Sequence, residues 1–189
     1  YFNPLTSLYL FPRGEDFSDV AVYERYDDLS GVNTQYWPYG DLGGVSSQNP
    51  YWIMNRMNRE NDRRRYKLAA SLQYNIIEGL NVQGRVSIDN TESKYTEKFH
   101  AGTVGNFAGP KGRYKEENRL DRQVYADVLA NFNKTFNEFN VTANLGASIK
   151  DLRMELTSLH GDLNNVTNHF TIENLTRSGY YKVNADGLK

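Results

Sequence analysis

The chain has 189 residues, a formal net charge of −1 and no cysteine. The lack of cysteine excludes disulfides, thiolate nucleophiles and cysteine-based zinc sites, and the balanced charge argues against nucleic acid as a partner, because phosphate binding usually needs a basic surplus. The mean hydropathy of −0.71 is low for a packed soluble domain, and no stretch approaches the run of ~20 apolar residues that a membrane helix needs.

Residues 1–60 show no sustained hydrophobic period, and we expect them to form an outer loop that leads into the first strand. A helix across Tyr51–Arg65 is the alternative, but Ile53, Met57 and Glu60 do not make a broad apolar stripe. The sequence therefore favours an extended lead-in with a charged rim. The start at Tyr1, without a signal peptide, and the absence of a closing strand pattern favour a piece of a longer protein.

Residues 64–95 predict a first hairpin. Successive side chains of a strand point to opposite faces, so apolar residues at every second position indicate a strand with one apolar face. Glu78-Gly79 is a tight-turn signal between two such runs. The apolar positions are Tyr66, Leu68, Ala70, Leu72, Tyr74 and Ile76 before the turn, and Leu80, Val82, Gly84, Val86 and Ile88 after it.

Residues 121–154 predict a second hairpin, after an outer loop at 96–120. The short turn is Asn137-Glu138, and residues 155–189 are expected to form a further outer loop. Lys134 interrupts the apolar face near the end of the first strand. The apolar positions are Val124, Ala126, Val128, Ala130, Phe132 and Phe136, then Phe139, Val141, Ala143, Leu145, Ala147 and Ile149.

The two hairpins have short turns at one end of the strands and long loops at the other. Long strands with one apolar face and one face of amides and hydroxyls are typical of a wall with lipid outside and water inside. Aromatic residues lie where interfacial girdles are expected: Tyr74, Phe132, Phe136 and Phe139 near the short turns, and Tyr66, Tyr95 and Phe99 near the long loops. The predicted fold class is all-β: a segment of an antiparallel transmembrane β-barrel. A soluble antiparallel sandwich is the alternative, because its inner faces would also alternate.

Several segments, in order, resemble the SusC/RagA-type TonB-dependent transporters. They are Leu8 to Gly14, Asn49-Pro50-Tyr51-Trp52 with Asn55-Arg56 and the basic run, Gly84-Arg85-Val86-Ser87 in the first hairpin, and Tyr180 to Lys189. The resemblance implies a barrel of ~22 strands in the bacterial outer membrane, occluded by a plug domain, that imports oligosaccharides or peptides. It also implies that a SusD-like surface lipoprotein acts as a lid and that TonB supplies the energy for transport.

The chain departs from that family by omission. It contains no recognisable plug domain, TonB box or terminal barrel strand, so contact with TonB would run through a plug region outside this sequence. Four strands cannot close a barrel, and their edges would present unpaired backbone groups to lipid. We therefore interpret all of residues 1–189 as part of one barrel wall with its loops.

Two sets of candidate residues follow from this interpretation. Aromatic rings near polar groups suit sugar or peptide binding, although the same rings could pack the loops. The candidate substrate or lid contacts are Trp37, Tyr39, Tyr51, Trp52, Arg113 and Tyr114. The candidate lumen lining is Gln73, Asn75, Arg85, Asp127, Asn131 and Asn144.

Basic residues near the loop ends could contact phosphates of outer-membrane lipid. The alternative is an ordinary solvated rim whose cations pair with Glu97, Glu116, Glu117 and Asp121. The basic set comprises Arg63, Arg64 and Arg65 with Lys94, Lys98, Lys111, Arg113, Lys115 and Arg119.

No set of catalytic, metal or cofactor residues emerges from the sequence. The glycine-rich stretch from Gly102 to Arg113 lacks the Gly-Lys-Ser/Thr and following helix of a phosphate loop, so a flexible outer loop is favoured. His100, His160 and His169 are expected in loops and lack the spacing of a HExxH zinc motif. We expect no enzyme activity and no cofactor.

The sequence leaves two rival functions open. One is a soluble all-β carbohydrate-binding or adhesion module, and the other is a fragment of a glycan-active enzyme, for which no catalytic set is visible. The long strands and the neutral polar faces favour the transporter wall.

Overall fold

The protein's structure, a computed structural model, describes residues 3–9, 11–39, 48–176 and 180–188. Leu10 and Lys189, which belong to segments that carry the family resemblance, lie outside the described residues. The described elements, in chain order, are α1 (Pro4–Tyr9), a 3₁₀ turn (Phe17–Ala21), β1 (Glu24–Asp27), β2 (Val32–Gln35), α2 (Pro50–Arg56), β3 (Met57–Ile77), β4 (Leu80–Phe99), β5 (Arg113–Phe136), β6 (Phe139–Asp162), a 3₁₀ turn (Ile172–Asn174) and β7 (Tyr180–Leu188).

The strands form two antiparallel sheets. The small sheet pairs β1 with β2, with Glu24 opposite Gln35 and Asp27 opposite Val32. The large sheet has the order β3-β4-β5-β6-β7, so each strand lies beside its neighbours in sequence. The expected all-β antiparallel architecture is confirmed at this level, although the sheet has five strands where the sequence predicted about four.

Both predicted hairpin turns are present. Glu78 and Gly79 connect β3 to β4, and Asn137 and Glu138 connect β5 to β6. Gly79 has φ of +85°, and a Cβ there would collide with the backbone carbonyl oxygen of Asn133. Asn137 has φ of +54°, in a region that asparagine tolerates better than most residues. The turn residues therefore match the backbone that each hairpin requires.

The hairpins extend well beyond their predicted limits. The strands β3 to β6 have 21, 20, 24 and 24 residues. The predicted hairpins at 64–95 and 121–154 run instead from 57 to 99 and from 113 to 162, which shortens the loop predicted at 96–120. The loop predicted over 155–189 is wrong in part, because residues 155–162 continue β6 and residues 180–188 form β7. The extensions of β3 to β6 carry charged and polar residues on both faces, so alternation does not mark them. The strand β7 does alternate, with Val183 and Ala185 placed between Lys182, Asn184 and Asp186.

The favoured extended lead-in before β3 is also wrong in part, because residues 50–56 form the helix α2. The Asn49 side chain caps it by accepting a hydrogen bond from the Tyr51 amide at 2.9 Å, and Pro50 occupies the first turn, where its missing N–H costs nothing. Pro50, Trp52 and Ile53 are buried. A cap and one buried face stabilise a short helix that has no broad apolar stripe.

The chain forms two compact units. The first, here the loop unit, contains Tyr1–Asp62, Lys94–Glu117 and Ser158–Tyr181. The second, the strand unit, contains Arg63–Ser93, Asn118–Thr157 and Lys182–Lys189. The hydrophobic core lies in the loop unit and consists of Trp52, Ile53, Met57, Phe99 and Ala108, with Tyr23 and Phe107 packed against it.

The glycine-rich loop between β4 and β5 is built of turns. Gly102 has φ of +85°, and a Cβ there would collide with the Asn33 carbonyl oxygen of β2. The strand β5 begins directly after Gly112 at Arg113, so no helix follows, in agreement with the rejection of a phosphate loop. In the described part of the chain, no helix is long and apolar enough to cross a membrane.

Candidate functional site

Ion pairs between neighbouring strands define one polar face of the strand unit. Arg65 of β3 makes a two-point contact with Asp89 of β4, with Nε–Oδ1 at 2.9 Å and Nη2–Oδ2 at 2.6 Å. Arg85 of β4 donates from Nε to both carboxylate oxygens of Asp127 on β5, at 2.9 and 3.1 Å. Side chains that bond across strands lie on the same side of a sheet. The alternate positions of β3, β4 and β5 that contain these residues therefore share one face.

The six candidate lumen residues fall on this polar face. Asn131 of β5 donates from its side chain to Asn81 of β4 at 2.9 Å, and a Cβ at Gly146 of β6 would meet the Leu129 side chain of β5. These contacts extend the polar face to the alternate positions of β6. The face contains Gln73, Asn75, Arg85, Asp127, Asn131 and Asn144, and their role as lumen lining stays a prediction.

The opposite face of the strand unit is apolar and exposed. Leu145 is 78% exposed, Phe139 76% and Leu72 76%. Soluble monomers rarely expose a contiguous apolar surface of this kind. The other exposed large side chains at the predicted apolar positions include Tyr66, Leu68, Tyr74, Ile76, Val86, Val128, Phe136, Val141 and Ile149.

A cavity of about 580 Å³ opens in the strand unit, and the strands β3 to β7 all contribute to its lining. It is rich in charge, because four arginines and three aspartates line it beside Thr91, Gln123, Leu152 and Met154. The charged set is Arg63, Arg65, Arg122 and Arg153 with Asp89, Asp121 and Asp186. Of these residues the sequence singled out Arg63 and Arg65, as part of the basic run, and Asp121, as a pairing partner for the rim cations.

Three of the six candidate substrate or lid contacts are buried in the loop unit. Trp52 is 0% exposed, and its ring Nε1 donates to the Thr103 hydroxyl at 3.1 Å. Trp37 packs edgewise on Tyr39, with ring centroids 5.5 Å apart. Tyr114 is buried and donates to Glu116 at 2.8 Å; burial, with that hydrogen bond, raises the pKa of its hydroxyl to about 12. Trp37, Trp52 and Tyr114 therefore pack the loops, as the alternative held, and a ligand cannot reach them in this conformation.

Tyr39, Tyr51 and Arg113, the other three candidate contacts, are half-buried. The Arg113 Nε is buried without a hydrogen-bond partner within the part of the chain that the structure describes. These three residues keep some surface, and their contact with a substrate or lid stays a prediction. The girdle prediction fails for Phe99, which is 3% exposed and belongs to the core.

The basic rim is extensively ion-paired. Lys94 lies 3.5 Å from Glu116, and Lys115 lies 3.1 Å from Glu117. Arg119 contacts Asp121 at 2.7 Å. The predicted pairing partner Glu97 contacts Arg59 at 3.1 Å. The solvated, paired rim therefore accounts for these cations, and contact with lipid phosphate stays a prediction.

An ion pair that the sequence gave no reason to expect joins α2 to β1 within the loop unit. Arg56, at the end of α2, contacts Glu24 of β1 with Nε–Oε2 at 2.8 Å and Nη2–Oε1 at 2.9 Å. The hydrogen bond from Arg56 lowers the pKa of Glu24 below its usual value of 4.5. His100 lies beside this pair and lines a cavity of about 310 Å³ with Arg56. Burial, and then repulsion by Arg56, lower the pKa of His100 below 6.5.

The histidines do not form a metal centre in the described residues. No group of three or more His, Asp or Glu side chains there is placed to hold a metal ion. His100 follows β4 and His169 lies in a loop, as expected, whereas His160 belongs to β6 and corrects the prediction that all three lie in loops.

Comparison with known proteins shows a similarity to a solved structure. No protein-family model matches the sequence, and no curated protein matches it. A chain in the solved structure of the RagAB peptide transporter superposes on this one with a TM-score of 0.65 and 12% sequence identity. The match covers 79% of this chain and 17% of that chain. The protein therefore shares the fold of a segment, about one sixth in length, of a much longer transporter chain.

Proposed function

We propose that the chain forms part of the wall and outer loops of an outer-membrane, TonB-dependent transporter that imports oligosaccharides or peptides. The observation that carries the proposal is the exposed apolar face of the strand unit, opposite a face that is polar and ion-paired. Such a pair of faces suits a sheet with lipid on one side and water on the other. In this role the protein makes and breaks no covalent bonds.

The lengths of the apolar runs support this placement. A barrel strand crosses the hydrocarbon region with ~9–11 residues. The alternation from Tyr66 to Ile76 and from Phe139 to Ile149 meets that requirement. The strands β3 and β6 then continue far past it, to 21 and 24 residues. Such extended strands suit a large barrel whose outer rim holds folded loops.

The proposed partners follow from the family resemblance and from the neighbour's name. The similar solved structure is that of the RagAB peptide transporter. We propose a SusD-like lipoprotein as the lid over the loop unit, TonB acting through a plug region outside this chain, and outer-membrane lipid against the apolar face. The polar face, with Arg85 and Asp127, would line the lumen or pack against the plug.

A soluble carbohydrate-binding or adhesion module is the second candidate. It would need another layer to cover the apolar face, since a sandwich buries the inner face of each sheet. Leu72 and Leu145, near the middle of that face, remain more than two-thirds exposed. This exposure favours the transporter wall.

Arginine substitutions on the two faces test the proposal in the full-length protein. We expect Val86→Arg to cost about 2–4 kcal/mol, because a guanidinium at mid-membrane depth loses hydration. The matched control is Ser87→Arg, the same new side chain one residue further on, which would point to the polar face. Leu145→Arg repeats the test on β6. The measurement is the amount of heat-modifiable protein, seen as a band shift between boiled and unboiled outer-membrane extracts.

We expect the heat-modifiable band to be lost in Val86→Arg and in Leu145→Arg. The Ser87→Arg variant should keep that band. Equal recovery of all three variants in that band would show that the apolar face does not meet lipid. A wild-type protein that fractionates as a soluble species would favour the binding module.

A further inference from the structure

The charged cavity of the strand unit lies at a defined level along the strands. Arg65 directly precedes Tyr66, where the apolar alternation of β3 begins, and Asp89 directly follows Ile88, where that of β4 ends. The cavity therefore lies just beyond the apolar band, on the side of the long loops. In the proposed orientation this level belongs to the outer half of the lumen, which an incoming substrate reaches first.

Each aspartate of the cavity has a cationic neighbour. Asp89 is held by Arg65 at 2.6 Å. Asp121 is held at two points by Arg119, at 2.7 and 3.1 Å. Asp186 lies 4.0 Å from Arg153. Asp89 and Asp121 are therefore already paired with this chain's own arginines, whereas Arg153 contacts Glu155 more closely than Asp186, at 2.8 Å.

One arginine on the polar face of the cavity is left over. Within the described residues, Arg63 has no carboxylate in ion-pair contact, although it lines the cavity. Arg122 also has none, but it alternates with Asp121 and therefore belongs to the opposite face of β5. Arg63 is two positions before Arg65 and so belongs to the polar face of β3. The cavity therefore has a guanidinium free to bind, beside the apolar side chains of Leu152 and Met154.

We propose that this cavity is a subsite for a carboxylate group of the transported substrate. A guanidinium binds a carboxylate through two parallel hydrogen bonds, and Arg63 would supply them. Leu152 and Met154 would pack against the carbon skeleton next to the carboxylate. The volume of about 580 Å³ is in the range of small-molecule sites. As a substrate subsite the inference rests on the proposed function.

Two sources could supply the carboxylate: a peptide, or an oligosaccharide that contains uronic acid. A neutral oligosaccharide has no group that would neutralise Arg63. The subsite therefore narrows the proposed substrate from oligosaccharides or peptides in general to those that bear an acid. The bound group is the same in both cases, so paired probes can separate the sources.

The test measures binding to the purified full-length protein with four probes: N-acetyl-tetraalanine, its C-terminal amide, a galacturonic acid oligomer and a neutral galactose oligomer. We expect the wild type to bind at least one acid-bearing probe more tightly than its neutral counterpart. Arg63→Gln should weaken that binding about five-fold, the effect of losing one solvent-exposed ion pair, and leave the neutral probe unchanged. Arg64→Gln is the matched control, because it removes the same charge at the adjacent position, outside the cavity lining.

The outcomes separate the subsite from the proposed function. Tighter binding of the acidic peptide than of its amide assigns a peptide, and tighter binding of galacturonate than of galactose assigns a uronic acid. If the wild type is a heat-modifiable outer-membrane protein that prefers neither acid, or if Arg63→Gln and Arg64→Gln behave alike, the subsite is refuted and the transporter stands. If the protein is not in the outer membrane, the proposed function fails, whereas an acid preference lost in Arg63→Gln would still support the cavity as a carboxylate site.

Discussion

At the scale of single residues, Asn49 organises the loop unit. It is fully buried, and every polar group of its side chain is bonded: Oδ1 accepts from the Tyr51 amide, and Nδ2 donates to the carbonyls of Val20 and Tyr36 at 2.9 and 3.1 Å. Its own amide donates to Gln35 at 2.7 Å. A buried amide is stabilising only when it is satisfied in this way. One side chain thus joins a helix start to two other segments.

The lowered pKa of His100 predicts that the stability of the loop unit depends on pH. Its pKa is lowered by burial and by Arg56, so the folded state binds a proton less readily than the unfolded state. The stabilising contribution is therefore complete above the unfolded value of 6.5 and is lost as the pH falls through 6.5 towards the lower folded pKa. We expect loop proteolysis of the purified full-length protein to increase between about pH 7.5 and about pH 5.5.

His100→Gln should flatten that pH profile, since glutamine does not titrate. His169→Gln is the matched control, because the His169 side chain is exposed. Glu24 contributes to the pH dependence of stability in a separate pH range. Its pKa is lowered in the folded state, so its stabilising contribution is lost only as the pH falls below 4.5. An unchanged profile in His100→Gln would contradict the assignment.

At the scale of elements, the long strands combine two regimes. Near the short turns their faces differ sharply, with exposed apolar side chains such as Leu72 on one side and ion pairs such as Arg85 with Asp127 on the other. Towards the long loops, charged pairs such as Lys94 with Glu116 stand at the alternate positions that continue the apolar face. The same backbone ladder continues through both regimes, because strand pairing uses main-chain groups whatever the side chains are.

We expect the side chain of Asn174 to stabilise the segment that follows β6. Its side chain is buried; Oδ1 accepts from the amides of Asn165 and Val166, and Nδ2 donates to the carbonyls of Val166 and His169 at 2.6 and 2.8 Å. Asn174→Asp keeps the acceptor but turns the donor into an oxygen that faces two carbonyls. We expect a loss of about 3 kcal/mol of local stability, from two buried hydrogen bonds replaced by repulsion.

Hydrogen exchange of residues 163–176 in the full-length protein measures that loss. Asn164→Asp is the matched control, with the same change on an exposed residue of the same segment. Equal exchange rates in the two variants would show that the Asn174 side chain does not hold the segment.

At the scale of the whole molecule, the proposed function gives the two ends of the strands different surroundings. The β1–β2 turn presents Leu29, which is 99% exposed, in the loop unit. The β5–β6 turn presents Glu138, also exposed, in the strand unit. In an outer-membrane barrel the long loops face the outside and the short turns face the periplasm.

Single cysteines test this orientation, because the chain contains none of its own. In a full-length background without other reactive cysteines, Leu29→Cys should react on intact cells with a maleimide polymer too large to pass porins. Glu138→Cys should react only after the outer membrane is permeabilised. Gel shifts measure both, and labelling of Glu138→Cys on intact cells would reverse or refute the orientation.

The sequence by itself determined the hairpins of the strand unit and their two faces. Period-two alternation and the turns at Glu78-Gly79 and Asn137-Glu138 are local properties, because the pleat and the turn geometry act over a few residues. The placement of Gln73, Asn75, Asn131 and Asn144 on one face follows from the same period. These features could therefore be predicted without knowledge of any distant contact.

Only the tertiary structure decided the loop unit and the charge balance of the cavity. The burial of Trp37, Trp52 and Tyr114, and the pairing of Arg56 with Glu24, join segments far apart in sequence. The extensions of β3 to β6 show no alternation and form by main-chain pairing with neighbouring strands. Whether an arginine such as Arg63 has an acid beside it depends on cross-strand register, a relation between segments that no local pattern contains.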